Sequence, residues 1–188
     1  LSPDGWKFKD RKSVVVTIVV IVALLSALTW AEYEMRKNAV EKTHREASAA
    51  WDQLGSEMDE RFTWAENLCR VVDDTARTGD ALAAISLYRS DPRTPLVVSK
   101  AYNQLDAALT QMQKALFGTD HYREFQPYFE KLGEIETELD TLVADYQGKA
   151  EAYNRTITGR GFAPRIAAQR NLTPLELLSV NAALANRP

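Results

Sequence analysis

The chain is poor in the residues that most chemistry requires. It has one cysteine, Cys69, and two histidines, His44 and His121, in 188 residues. A single thiol forms no internal disulfide, and at helical spacing it reads as a small core residue. No nucleophile stands beside a base, and no glycine-rich phosphate loop is present. Glu41-Lys42-Thr43-His44 matches half of a carboxylate-bridged di-metal site in a helical bundle. The second half is missing, because Gly118 stands three positions before His121 where a glutamate is needed. The expectation is a non-enzyme with no cofactor and no metal. Glycine is also scarce, at 8 residues, and β-branched residues thin out after the N-terminal run. Sheet is therefore disfavoured, and Ala, Leu, Glu, Lys, Gln and Arg favour helix throughout.

Charge is lacking altogether from Ser13 to Trp30, SVVVTIVVIVALLSALTW. Eighteen helical residues span ~27 Å, close to the hydrocarbon thickness of a bilayer. Only a helix satisfies its own backbone in lipid, so residues 13–30 are read as one transmembrane helix in contact with membrane lipid. Trp6 and Trp30 bracket it as expected of rings at the membrane interface. A cleaved signal peptide is the competing reading, with Lys7 to Lys12 as its basic region and Thr29 and Ala31 at a small-x-small site. Trp30 fits poorly inside such a site, so the segment is read as a retained anchor. Lys7, Lys9, Arg11 and Lys12 outweigh Asp4 and Asp10 before the span. That bias places the N-terminus in the cytoplasm and the bulk of the chain outside the cytoplasmic membrane. The rest of the chain is more acidic than the overall net charge of −3, which argues against a nucleic-acid partner.

After the span the apolar residues follow heptads. Trp51, Met58, Ala65 and Val72 are seven apart, as are Leu54, Arg61 and Leu68. This predicts one helix from the membrane to about Arg77, with Gly55 and Thr63-Trp64 as places to bend. Gly79-Asp80 and Asp91-Pro92 predict a connector over 78–95, holding at most a short helix. A second long helix is predicted from Leu96 to Phe117, with Val98, Leu105 and Met112 as its seam and Ala101, Ala108 and Ala115 beside it. Gly118 breaks it, and Asp120 is placed to cap the next helix. The third runs from His121 or Phe125 to Thr158, with Pro127 near its start. Its seam is Phe125, Leu132, Leu139, Tyr146 and Tyr153, flanked by Tyr128, Ile135 and Leu142. Gly159 and Gly161 end it. Thr173-Pro174 predicts a further short helix near 175–185.

The expected fold is all-α: a transmembrane helix continuous with an antiparallel bundle of long helices. The expected parts are a cytoplasmic tail at 1–12, the span at 13–30, a bundle at 31–158 and a capping segment at 159–188. Arg61 falls on an apolar seam, where a guanidinium needs an acceptor or a route to water. A carboxylate of the third helix, Glu136, is the candidate partner, and the alternative is a stem that reaches out of the seam. Tyr146 and Tyr153 share one heptad position and read as structural tyrosines, or else as a recognition strip. Asn154-Arg155-Thr156 and Asn171-Leu172-Thr173 match glycosylation sequons, a pattern common by chance.

Two stretches carry a resemblance. AWDQLGSEMDERFTWAENL, Ala50 to Leu68, and LGEIETELDTLVADYQGKAEAYNRTI, Leu132 to Ile157, resemble the bacterial LemA family. Trp51, Arg61, Asn67 and Leu68 fit the first motif, while Glu60 and Glu66 depart from its usual Arg and Pro. Glu136, Tyr146, Tyr153 and Asn154 fit the second, while Ile135 and Gln147 depart from its Thr and Asn. Phe162, Pro164, Ile166 and Ala167 resemble the Phe-Pro and Ile-Ala that follow. The resemblance implies a single-span protein of the bacterial inner membrane, with a helical bundle outside the cytoplasm. It also implies a part in membrane organisation and no established enzymatic activity. The functional expectation is a scaffold or interaction protein of the cell envelope, assembling with itself or as an accessory subunit of a membrane complex. The alternative is an extracytoplasmic sensing domain that signals through a partner.

Overall fold

The structure is a computed structural model that describes residues 11–90, 92–119 and 121–180. Trp6 and Asp120, with their expected interface and capping roles, lie outside the described residues. The fold is all-α, with five helices among the described residues: α1 (Arg11–Val72), α2 (Thr75–Tyr88), α3 (Pro95–Leu116), α4 (Tyr122–Thr158) and α5 (Ala163–Gln169). The chain falls into two compact units, Leu1–Lys42 with Thr156–Thr173, and Thr43–Arg155 with Pro174–Pro188.

In the first unit, α1 opens with an apolar run long enough to cross a membrane, and none of that run is buried. Further along, Val40, Ile157, Ala163, Ile166 and Ala167 are buried. Tyr33 meets the Phe162 ring edge-on at 5.8 Å. Arg170 pairs with Glu41 at 2.5 Å. Gly161 adopts φ 89°, a left-handed turn open to glycine at no steric cost, and Pro164 sits in the first turn of α5. Helix α5 is not among the elements that the sequence pattern predicts.

In the second unit, α1 and α4 run antiparallel. Their ring contacts show it, because the α4 partner falls as the α1 number rises: His44 with Tyr153, Trp51 with Tyr146, Trp64 with Tyr128. Helix α2 packs on α3. Leu54, Met58, Leu68, Leu105, Met112 and Leu139 are all buried in one core. The seams are wider than two heptad positions, since Phe62, Cys69, Tyr102 and Leu109 are buried as well, while Ala115 is exposed.

Three boundaries differ from expectation. Helix α1 stops at Val72 and does not continue to Arg77. Asp73 turns left-handed at φ 45°, which Asp tolerates better than most residues, and Asp74 caps α2 by accepting from Ala76 N at 3.0 Å. Gly79-Asp80 does not break the chain but lies inside α2, on its solvent face. Thr78, Ala81, Ala84, Ile85 and Tyr88 bury the other face, and that burial outweighs a glycine penalty of about 1 kcal/mol. Of the short helix expected near 175–185, residues 175–180 form none, and 181–185 lie outside the described residues. Helix α1 also passes through Gly55 and Thr63-Trp64 without interruption.

Candidate functional site

The second unit carries three arrangements with polar chemistry. The deepest surrounds Arg61, which is 1% exposed although it projects from an apolar seam. Its Nη2 stands 3.5 Å from Asp106 Oδ1 and 3.9 Å from Glu136 Oε1. The guanidinium lies over the Tyr102 ring, 4.1 Å from the centroid. The Tyr102 hydroxyl in turn donates to Glu136 Oε1 at 3.4 Å. Burial pushes the Tyr102 phenol well above its usual range; Arg61 opposes that, and Glu136 and Asp106 reinforce it. The phenol therefore remains a donor at neutral pH. Arg61 Nε and Nη1 are buried without hydrogen-bond partners. Three helices thus meet at one cation. A flat guanidinium can face a ring and two carboxylates at once, which an ammonium cannot do as well. Glu136 is near Arg61 as the sequence suggested, but Asp106 is nearer, and Asp106 and Tyr102 were not anticipated. Asp106 stands one position after the seam residue Leu105, and Tyr102 one position after Ala101 beside that seam.

The second arrangement is a cleft of about 400 Å³ lined by Trp51, Gly55, Asp59, Tyr88, Arg93 and Val98 among others. Three of its polar groups engage one another. Arg93 pairs with Asp59 at 2.9 Å, and the Tyr88 hydroxyl donates to the same carboxylate oxygen at 2.9 Å. Burial, with Asp59 as acceptor, pushes the Tyr88 phenol up. The Tyr88 ring also stacks on Phe62 at 3.9 Å. Nearby, the Arg89 guanidinium, aided by Arg70, holds the Glu66 carboxyl below its usual value.

The third is a groove along α3 and α4 that the chain fills with its own residues 174–180. Asn154 grips Leu175 at both ends of its amide: Nδ2 donates to Leu175 O and Oδ1 accepts from Leu175 N, each at 2.8 Å. The Tyr146 hydroxyl donates to Glu176 O, and Gln147 Nε2 to Leu178 O, both at 2.8 Å. From α3, Asn103 Nδ2 donates to Ser179 O at 2.8 Å, and Ser99 Oγ accepts from Ser179 N at 2.9 Å. These bonds keep the segment out of a helix: Asn154 and Gln147, about 10 Å apart along α4, take Leu175 and Leu178, a spacing that an extended chain covers in three residues. Side chains far away in sequence take the backbone groups that a helix would pair internally.

The remaining residues singled out by sequence are dispersed. Tyr153 is buried with its ring 5.2 Å from His44, and Leu68 is buried in the core. Trp51 and Asn67 are half-buried. Phe162 and Pro164 belong to the first unit, and Trp30 is exposed. No cluster of three or more metal-binding side chains occurs among the described residues. No protein-family model, curated protein or solved structure matches this chain.

Proposed function

We propose that this chain is a membrane-anchored helical interaction protein, assembling with itself or serving a membrane complex as an accessory subunit. The observation that carries the reading is the apolar face of α1. Its large apolar side chains from Val15 to Leu28 are 49% to 67% exposed, on a helix without charge over that stretch. A surface of that extent and apolarity is suited to lipid and ill-suited to water. Residues 13–30 then cross the membrane, with Trp30 at the headgroups. The basic N-terminal flank favours a cytoplasmic N-terminus and a bundle outside the inner membrane of a bacterial envelope. The motifs that resemble the LemA family point the same way. A folded helical unit on such an anchor has its polar groups engaged in holding helices together, which suits binding better than turnover.

The test is fractionation of cells producing the full chain, followed by an alkaline carbonate wash. The chain is expected to stay in the membrane pellet. Val19→Lys with Val22→Lys, each costing about 2.5–3.5 kcal/mol in a membrane interior, is expected to release it. A wild-type chain that washes into the supernatant contradicts the anchor. The Trp51–Arg93 cleft supports a second reading, a ligand-sensing domain acting through a partner. A raised melting temperature in the presence of one member of a metabolite panel would favour it.

A further inference from the structure

The segment that fills the groove is bound as a peptide ligand is bound. Six of its backbone groups, Leu175 N and O, Glu176 O, Leu178 O, and Ser179 N and O, bond to side chains of α3 and α4. Backbone recognition of this kind orients an extended chain whatever its side chains, and pockets for individual residues then supply selectivity. Here Leu178 is the buried anchor at 4% exposure. Leu175 and Val180 are half-buried, while Glu176, Leu177 and Ser179 face outward. The groove side chains that contact the backbone (Ser99, Asn103, Tyr146, Gln147, Asn154) are all uncharged, so they select for an extended main chain and not for charge. The segment is thus held by one buried leucine, two half-buried apolar side chains and hydrogen bonds to uncharged groups, contacts that a similar segment of another chain can reproduce.

We propose that this groove is a peptide-binding site for an extended, leucine-bearing segment of a partner protein. Residues 174–180 occupy it in cis as a competitor. The partner would place leucines three apart, as Leu175 and Leu178 are, with a free main chain between them. This deepens the interaction reading above and rests on it only in taking the partner to be a protein. The test below reads the groove alone, so it succeeds or fails independently of membrane attachment.

The experiment titrates a fluorescent peptide, PLELLSV, against the full chain in detergent, with a scrambled peptide as control. Leu178→Asp should loosen the internal segment. A segment closed nine-tenths of the time or more weakens apparent affinity at least about tenfold, so the variant should bind the peptide at least about tenfold tighter than wild type. Adding Asn103→Ala and Asn154→Ala to that variant should remove the gain. Should Leu178→Asp lose its helical circular dichroism, the paired change Ser99→Cys with Ser179→Cys decides. Its disulfide would lock the segment, and reduction should raise peptide binding. A folded Leu178→Asp chain without saturable binding overturns the proposal, as does equal binding by the oxidised and reduced pair. A doubled particle mass without peptide binding would assign the groove to a second copy, and it too overturns the proposal.

Discussion

Replacing Arg61 with methionine removes the cation at which α1, α3 and α4 meet. Methionine keeps much of the stem volume, so the change isolates the charge and its planar head. Removing one partner of a fully buried ion pair costs about 3–5 kcal/mol, because the other charge is left stranded. Here the carboxylates left behind keep some water, since the side chains of Asp106 and Glu136 are 17% and 14% exposed, and Glu136 keeps the Tyr102 hydroxyl. The separations of 3.5 and 3.9 Å are also long for direct pairing. In the other direction, two guanidinium nitrogens are buried without partners, so Arg61 itself bears a desolvation cost that methionine relieves. The balance places Arg61→Met at about 2–3 kcal/mol destabilising. For a domain of this size that is a fall in Tm of about 4–12 °C, read by circular dichroism of the full chain in detergent. Adding Asp106→Asn and Glu136→Gln removes the stranded charges and should recover most of the loss. If Arg61→Met melts with wild type, or if the triple variant is less stable than Arg61→Met, the cluster does not work as described.

Three further outcomes follow from burial and backbone geometry. Tyr153 is 0% exposed, so Tyr153→Ala should cost about 2–4 kcal/mol; an unchanged Tm would contradict its place in the core. A methyl group added at Gly79 would meet nothing within 4 Å, so Gly79→Ala should stabilise α2 by about 0.5–1 kcal/mol, and a lowered Tm would argue against a helix there. Burial, with a smaller contribution from Glu66, pushes the Cys69 thiol up to about 11 from an ordinary 9.0. At pH 8 the folded chain should resist a thiol reagent that labels it at once after unfolding. Rapid labelling of folded protein would refute that burial.

The long helices were legible because their apolar spacing is strong and their ends carry local signals. Pro95 and Gly118 bracket α3 within a residue of expectation, and Thr158 ends α4 as its glycines suggested. What escaped the sequence depends on competition between neighbours. Asp73 and Asp74 look unexceptional until one turns left-handed and the other caps. Gly79 reads as a breaker until its exposed position in α2 is known. The stretch 174–180 carries helical composition, but its backbone is claimed by Ser99, Asn103, Tyr146, Gln147 and Asn154. Such bonds span 21 to 80 positions, and no local pattern reports them. The Arg61 site was half legible: an arginine on an apolar seam signals a buried partner, but Asp106 among the polar residues of α3 looks solvated.

An anchored interaction protein should be found in the membrane bound to other protein. The mass of the particle extracted from membranes in mild detergent, with each protein in it identified, decides whether it is. A particle larger than one chain is expected, holding either further copies or other membrane-associated subunits. A single chain in its detergent belt, at every concentration and in each detergent tried, would contradict it.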